Sequence, residues 1–241
     1  MKKDKIFSTP TDPLVKFTFD KHVADVFPDM IERSVPGYTT TIAMIGVLAG
    51  QHVTSNSNCY DLGSSLGAAT LAMRHHINQE NVKIIAVDNS LAMIEKSQKI
   101  IDRDPSSTKV ELVLDNILDI EIENASVCVL NFTLQFLKLE DRKKMIQKIY
   151  DGLLPGGILV LSEKIVFDKS DEQKSQVEWH HAFKKANGYS DLEVAQKRTA
   201  LENVLIPETL DKNKERLYEA GFEKVNLWFQ CFNFVSLVAE K

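Results

Sequence analysis

From Asn58 onward, short continuous apolar runs alternate with amphipathic stretches. The apolar runs fall near 58–62, 82–87, 109–114, 126–131 and 158–163, and the amphipathic stretches near 66–77, 90–102 and 139–152. Runs such as Ile84 to Val87 and Val127 to Leu130 carry no polar alternation. Strands of that kind are buried on both faces, which predicts a parallel sheet covered by helices. The rhythm stops at 164–207, a polar stretch of helical character rich in Lys, Glu and Gln. A helix ending at Gly221 follows, and then Val225 to Glu240, long and apolar enough for two strands turning near Asn233. The expected architecture is α/β, with a seven-stranded, mainly parallel sheet whose last strand is antiparallel.

Ahead of the first strand, Asp20 reads as an N-cap. Behind it Val23, Val26, Phe27, Met30 and Ile31 form one apolar helical face, interrupted at Pro28. Val35 to Tyr38 reads as a turn, and the next helix carries Ile42, Ile45 and Leu48 on one face. Residues before Asp20 read as an irregular arm packing Phe7, Phe17 and Phe19. The chain is expected to be one domain over 1–241, with a helical cap over 1–55 and a helical insertion over 164–207. The cap can cover a cleft at the strand tips, with Tyr38 either reaching in or packed as a surface tyrosine. Long insertions serve as lids, substrate pockets or interfaces.

The chemistry concentrates where strands end. The stretch Asn58 to Ala69 stops a strand at Gly63 and opens an alanine-rich helix at Gly67. Such a turn offers backbone N–H groups at the carboxyl edge of the sheet, where open α/β sheets bind nucleotide-like ligands. Asp88, at the tip of the second strand, can accept both hydroxyls of a ribose. The loop has two glycines, with Ser64 and Ser65 between them, and lacks the middle glycine that admits a pyrophosphate. It therefore suits an adenosine ligand without phosphates better than a dinucleotide.

Asp115 or Asn116 can accept from an adenine amine, with Ile117 packed on the ring; a solvated loop fits this spacing equally well. Asn131 projects at the fourth strand tip, while Phe132 and Phe136 read as core. Lys197-Arg198 places a planar guanidinium suited to a carboxylate in the insertion. Spacing alone favours a surface charge there, pairing with Glu193 or Glu202.

Composition narrows the picture. The 241 residues are 44% hydrophobic, enough for one large core. The net charge is −5, from 29 basic and 34 acidic residues, which argues against a broad nucleic-acid surface. Lys184-Lys185 and Lys197-Arg198 add local positive charge. Cys59, Cys128 and Cys231 have neither metal nor redox spacing and read as reduced, buried thiols. The adjacent pairs His75-His76 and His180-His181 do not form an i, i+4 clamp, so no metal site is expected. The longest early apolar run, Ile42 to Ala49, is far short of the roughly 20 residues a membrane span needs. A soluble, cytoplasmic protein without a membrane partner is expected.

The loop Asp61 to Thr70, the run Asn124 to Leu137, the segment Lys185 to Arg198 and the ending Leu227 to Phe234 resemble the bacterial carboxy-S-adenosyl-L-methionine synthases. Phe27 to Tyr38 shares the likeness, which thus covers nearly the whole chain. The resemblance implies a Rossmann-like, class I methyltransferase fold. It also implies a homodimer that converts S-adenosyl-L-methionine and prephenate to carboxy-S-adenosyl-L-methionine and phenylpyruvate. A separate tRNA carboxymethyltransferase then uses that product on a hydroxylated wobble uridine, so no direct nucleic-acid contact is expected. In the family, positions matching Tyr38, Gly63, Ser64, Ser65, Asp88, Asn89, Ile117 and Asn131 contact the adenosyl ligand, and the arginine matching Arg198 holds the added carboxylate. Family members usually carry an acid where this chain has Asn116, whose carbonyl still accepts from an adenine amine. The reading implies no catalytic dyad, since the fragment leaving prephenate can serve as the base. The competing readings are a tRNA methyltransferase, which shares fold and cofactor, and a non-catalytic adenosine-binding module.

Overall fold

The computed structural model describes residues 2–10, 17–201 and 204–241. Five strands, β1 (Asn58–Leu62), β2 (Lys83–Asp88), β3 (Lys109–Leu114), β4 (Ala125–Asn131) and β5 (Leu153–Val166), run parallel. A two-residue strand, β6 (Glu208–Thr209), pairs with the end of β5. The hairpin of β7 (Lys224–Cys231) and β8 (Phe234–Glu240) completes the sheet, whose order is β3-β2-β1-β4-β5-β8-β7. β8 is antiparallel to both neighbours. The expected seven-strand path with its last strand reversed is therefore present.

Among the described residues, eight α-helices join and cover these strands: α1 (Lys21–Ser34), α2 (Tyr38–His52), α3 (Ala68–His76), α4 (Leu91–Ile101), α5 (Leu139–Gly152), α6 (Ser170–Ala186), α7 (Asp191–Leu201) and α8 (Leu210–Ala220). Neighbouring residues of the central strands face opposite helix layers. Cys59, Val127, Val129, Ile158 and Val160 pack with Ile45 and Ala49 of α2 and Met73 of α3. Tyr60, Leu62, Cys128, Leu130, Leu159 and Leu161 pack with Met145, Ile146 and Ile149 of α5 and Leu217 of α8. Each such side chain contributes about 1.5–3 kcal/mol by leaving water, which is why these strands contain no polar alternation. Cys59 and Cys128 lie in these cores, Cys231 is only partly covered, and all three are free thiols.

Asp20 caps α1, its side chain accepting the Val23 N–H at 3.0 Å. Contrary to the expected interruption, α1 continues through Pro28, whose missing N–H leaves the helix one backbone bond short at the Ala24 carbonyl. The helix buries Val23, Val26 and Met30 against Phe7, Phe17, Met93 and Ala200. This third cluster ties the N-terminal arm, α1, α4 and α7 together above the strand tips. α2 belongs to the helical layer on the sheet as well as to the cap. It lies so close to α3 that a Cβ on Gly46 would sit 2.6 Å from the Ala72 carbonyl oxygen.

β5 is longer than the apolar run that signals it. Leu153 pairs with Ala125, the chain shifts register over Pro155 to Gly157, and pairing resumes at Ile158 opposite Val127. At the other end β8 supports Lys164 opposite Phe234, and β6 supports Ile165 and Val166. These partners lie far away in sequence, so no local pattern announces them. The extension carries Lys164 beyond the level where β4 stops, at Asn131 opposite Ser162.

Candidate active site

A cavity of about 720 Å³ lies at the carboxyl ends of β1, β2, β3, β4 and β5. It is lined by Tyr38, Gly63, Ser64, Ser65, Asp88, Asn89, Asn116, Ile117 and Asn131 among others. The structure thus brings together all the sequence-indicated binding residues except Arg198. Another depression, of about 820 Å³, runs along Asp119–Glu123 and α5, at the opposite ends of the strands.

The glycine loop is shaped by two left-handed residues, Gly63 at φ 84° and Gly67 at φ 81°. A Cβ at Gly63 would come within 2.3 Å of the Thr133 hydroxyl, so the position needs glycine for space as well as for φ. Asp88 fastens this loop to the start of α4. Its Oδ2 accepts the Ser65 N–H at 2.8 Å and its Oδ1 accepts the Ser90 N–H at 2.9 Å. Burial raises the Asp88 carboxyl above its ordinary range, and the two backbone donors offset part of that rise. Each oxygen keeps a lone pair for a further donor, which suits a vicinal diol.

Two buried polar atoms on the wall have no hydrogen-bond partner among the described residues: Ser64 Oγ and Asn131 Oδ1. Buried polar groups are ordinarily satisfied, so both are marked for a bound partner. Asp61, not singled out by sequence, also lines the cavity. Its Oδ2 accepts the Thr70 N–H at 2.9 Å and the Thr70 hydroxyl at 2.6 Å. Burial, with Asp88 adding to it, pushes its carboxyl up to about 6. Burial and the Asp61 charge likewise raise the Tyr38 phenol. The signal for Asp61 was its place as the acid two residues before Gly63.

Asn116 sits on the exposed rim, where its Oδ1 closes a turn by accepting the Leu118 N–H at 3.0 Å. Asp115 accepts the Asn116 N–H at 2.7 Å, and Ile117 is buried beneath. Phe132 and Phe136, expected as core, line the cavity instead. Phe132 adopts φ 60° immediately after Asn131, a left-handed turn that swings its ring away from the sheet interior and against Phe234 at 5.9 Å. Phe136 packs edge-on to Phe19 at 5.4 Å, which places the N-terminal arm over the opening.

The insertion closes over its own chain's site. Lys164, His180, Lys184, Lys197, Leu201, Val204 and Leu205 all line the cavity. The insertion is held there by polar bonds to α1 and the arm. His180 Nε2 lies 2.8 Å from the Ser34 carbonyl, the Lys197 ammonium donates to Ser34 Oγ at 2.9 Å, and the Tyr189 hydroxyl donates to Asp4 at 2.6 Å. Burial and the nearby lysines push His180 down to about 2, so its ring is neutral. The charge pairs read from sequence split by helix face. Lys184 and Lys197 turn inward, whereas Lys185 pairs with Asp191 at 3.0 Å and Arg198 is exposed. Arg198 does not line the cavity, yet its charge acts on Lys164, which does. Of the two surface partners considered for Arg198, Glu202 lies outside the described residues, and Glu193 accepts from Ser190. The i, i+4 spacing of His180 and Lys184 on α6 was the available signal for the inward face.

Comparison with known proteins fits this geometry. Residues 60–157 match a family described as "Methyltransferase domain". A Methanococcus maripaludis protein assigned as an S-adenosyl-L-methionine-dependent methyltransferase superposes with TM-score 0.59 at 20% identity, covering 97% of each chain. Human N-acetylserotonin methyltransferase in complex with S-adenosyl-L-methionine superposes with TM-score 0.60 at 14% identity, covering 92% of this chain and 55% of that one. The fold is that of the class I S-adenosyl-L-methionine-dependent methyltransferases. Within that class, the chain is 56% identical over 241 residues to the carboxy-S-adenosyl-L-methionine synthase of Pasteurella multocida, covering 100% of both. It is 57% identical to that of Citrifermentans bemidjiense, covering 100% of this chain and 99% of the other. The chain belongs to the carboxy-S-adenosyl-L-methionine synthase family and is an enzyme acting on S-adenosyl-L-methionine. Among the described residues no helix is long and apolar enough to cross a membrane, and no three His, Cys, Asp or Glu side chains cluster as metal ligands.

Proposed function

We propose that this enzyme takes prephenate as its second substrate and returns carboxy-S-adenosyl-L-methionine, phenylpyruvate and water, with no metal involved. The observation that carries the reading is the two-sided cavity. Asp88, Ser64 and Asn131 offer hydrogen bonds on one side, and buried lysines stand on the other. Adenine lies over Ile117 beside Asn116, and the ribose hydroxyls rest on Asp88 with Asn89 alongside. The amino-acid tail meets Gly63 to Ser65, with Asp61 opposite its ammonium, and Tyr38 and Asn131 close the site.

The reaction balances without an outside reagent. Prephenate loses a carboxylate as carbon dioxide and its ring hydroxyl as hydroxide, and its ring becomes aromatic. The hydroxide takes a proton from the sulfonium methyl and leaves as water. The resulting ylide carbon bonds to carbon dioxide. The protein's part is to exclude water and hold both molecules in register. Arg198, exposed outside the cavity wall with its charge acting on Lys164, takes the new carboxylate. The whole chain works as one S-adenosyl-L-methionine-binding unit within a cytoplasmic homodimer. Its product serves a separate tRNA carboxymethyltransferase, and the net charge of −5 supports a small anionic substrate over direct tRNA contact.

The test is incubation with S-adenosyl-L-methionine and prephenate, followed by mass analysis of the nucleosides. A gain of one carbon dioxide is expected. Methylation of tRNA without prephenate, or tight ligand binding with no turnover in either assay, overturns the reading.

A further inference from the structure

The binding residues of the adenosyl half follow the strand order. Asn116 and Ile117 come after β3, Asp88 ends β2, Gly63 to Ser65 come after β1, and Asn131 ends β4. The next strand is β5, and Lys164 stands on its extension. Adjacent strands lie about 4.8 Å apart, which sets β5 roughly 10 Å from the glycine loop and roughly 14 Å from the ribose acid. The far end of the cavity is thus a separate compartment from the adenosyl half.

Cations crowd that compartment, and among the described residues two of its three lysines have no counter-ion. Lys184 is 7% exposed, and among the described residues its ammonium has neither a hydrogen bond nor an ion pair. Lys164 likewise has no ion pair, and its ammonium lies 6.0 Å from the Phe234 ring. Lys197 is better served, by Ser34 Oγ at 2.9 Å and by Asp4 at 3.8 Å. Of the other titratable or charged groups on the packed elements, the neutral His180, His181 and Arg198 bring no negative charge. The acids Asp4, Asp29 and Glu193 act on Lys197, and the exposed Glu32 of α1 lines the cavity without an ion pair to Lys164 or Lys184. Lysines as buried as Lys184 are rarely unpaired, because an ammonium with little access to water and facing like charges is costly. Between them lies an aromatic floor. Phe234 packs against His180 at 4.8 Å and against Phe132 at 5.9 Å.

We infer that Lys164 and Lys184 form the carboxylate-binding wall for the second substrate, one ammonium for each carboxylate of a cyclic dianion whose ring lies on Phe234 and Phe132. This rests on the reading of the second substrate given above and adds the residues that would select it. The state of the lysines agrees. Burial first, and the neighbouring cations second, lower Lys184 to about 7, and burial lowers Lys197 to about 8. A dianion arriving beside Lys184 pulls its value back up, so binding near pH 8 takes up protons.

The test uses prephenate titrated into protein saturated with S-adenosyl-L-homocysteine, which has no sulfonium methyl and cannot react. Wild type is expected to bind prephenate with proton uptake, read as a buffer-dependent heat at about pH 8. Lys164→Met and Lys184→Met each weaken prephenate at least about tenfold, the size of a lost charge-assisted bond, and leave S-adenosyl-L-homocysteine within about twofold. The second result also shows that the variants fold. Lys184→Arg retains most of the affinity with a smaller proton uptake, Lys197 being the other group that titrates near this pH. Variants that bind prephenate like wild type overturn the inference. So does an equal loss of S-adenosyl-L-homocysteine, which would put the lysines at the adenosyl tail, and so does wild type that binds no prephenate. Wild type that binds prephenate here yet forms no carboxylated product overturns the reaction and upholds the wall.

Discussion

Asp88 accepts the backbone N–H of Ser65 at 2.8 Å with the same carboxylate whose other oxygen accepts from Ser90. One side chain therefore fixes both the glycine loop and the entrance to α4. Asp88→Asn preserves the shape but turns an NH2 group toward one of those N–H donors. Loss of a bond to a charged group costs about 1.5–3 kcal/mol. The variant should bind S-adenosyl-L-methionine at least about tenfold more weakly by calorimetry and melt a few degrees lower. Wild-type affinity would mean that the ribose does not rest on this acid.

The orphaned atoms make the opposite prediction for stability. Asn131 Oδ1 has no partner among the described residues, so Asn131→Ala breaks no hydrogen bond at that oxygen. Removing an unsatisfied buried group is close to neutral or stabilising, whereas removing a satisfied one is costly. The melting temperature of Asn131→Ala should stay within about 2 °C of wild type or rise, while ligand affinity falls by about 1–2 kcal/mol. A large drop in melting temperature with affinity intact would make Asn131 structural.

Asp61 gives stability a pH dependence. Its carboxyl stands at about 6 in the folded chain against 3.8 for the free group, chiefly through burial. Between those values the unfolded chain has released a proton that the folded chain keeps. Stability from this group is therefore full below about pH 3.8 and is lost as pH rises through about 6. The shift corresponds to roughly 2–3 kcal/mol. Asparagine can accept both Thr70 bonds without titrating, so the stability gap between Asp61→Asn and wild type should move in the variant's favour by about that amount from pH 4 to pH 7. Urea unfolding at the two pH values measures it, and parallel behaviour would contradict the buried titration.

A fourth prediction concerns Arg142, whose side chain is 1% exposed and joins the cavity edge to the insertion's exit. It donates to the carbonyls of Gln135, Leu137 and Ile206 and pairs with Glu208 at 2.6 Å. Arg142→Met should destabilise by about 3–5 kcal/mol, because three carbonyls lose a donor. Glu208 keeps Arg216, which moderates the loss. Arg142→Lys should recover only part of it, since one ammonium cannot reproduce the planar fork. Denaturant midpoints at equal m-value separate the two variants.

The sheet and its ligand edge were legible because their signals are local. Continuous apolar runs mark β1, β2, β4 and the middle of β5, and the strand–glycine–helix turn marks the loop. What stayed hidden depends on distant partners. β5 extends to Val166 only because β8 and β6 pair with it there. Phe132 faces the cavity because its backbone turns left-handed after Asn131, which no spacing reveals. The lysine pairs showed the charge of the insertion, but which member turns inward is set by docking of α6 and α7 onto Ser34 and Asp4.

The same docking sharpens the test of Arg198. Its neighbour Lys197 is 5% exposed and anchored to Ser34, whereas Arg198 is exposed, outside the cavity wall, with its charge acting on Lys164. An exposed arginine contributes little to stability. Arg198→Ala should therefore melt within about 2 °C of wild type and bind S-adenosyl-L-methionine unchanged. If Arg198 receives the added carboxylate, the variant should lose carboxylated product by at least about tenfold, a loss that Arg198→Lys repairs only in part. The measurement is initial rate of carboxy-S-adenosyl-L-methionine formation by mass spectrometry with both substrates saturating. Product at the native rate would remove Arg198 from the site and leave the carboxylate to the inward lysines.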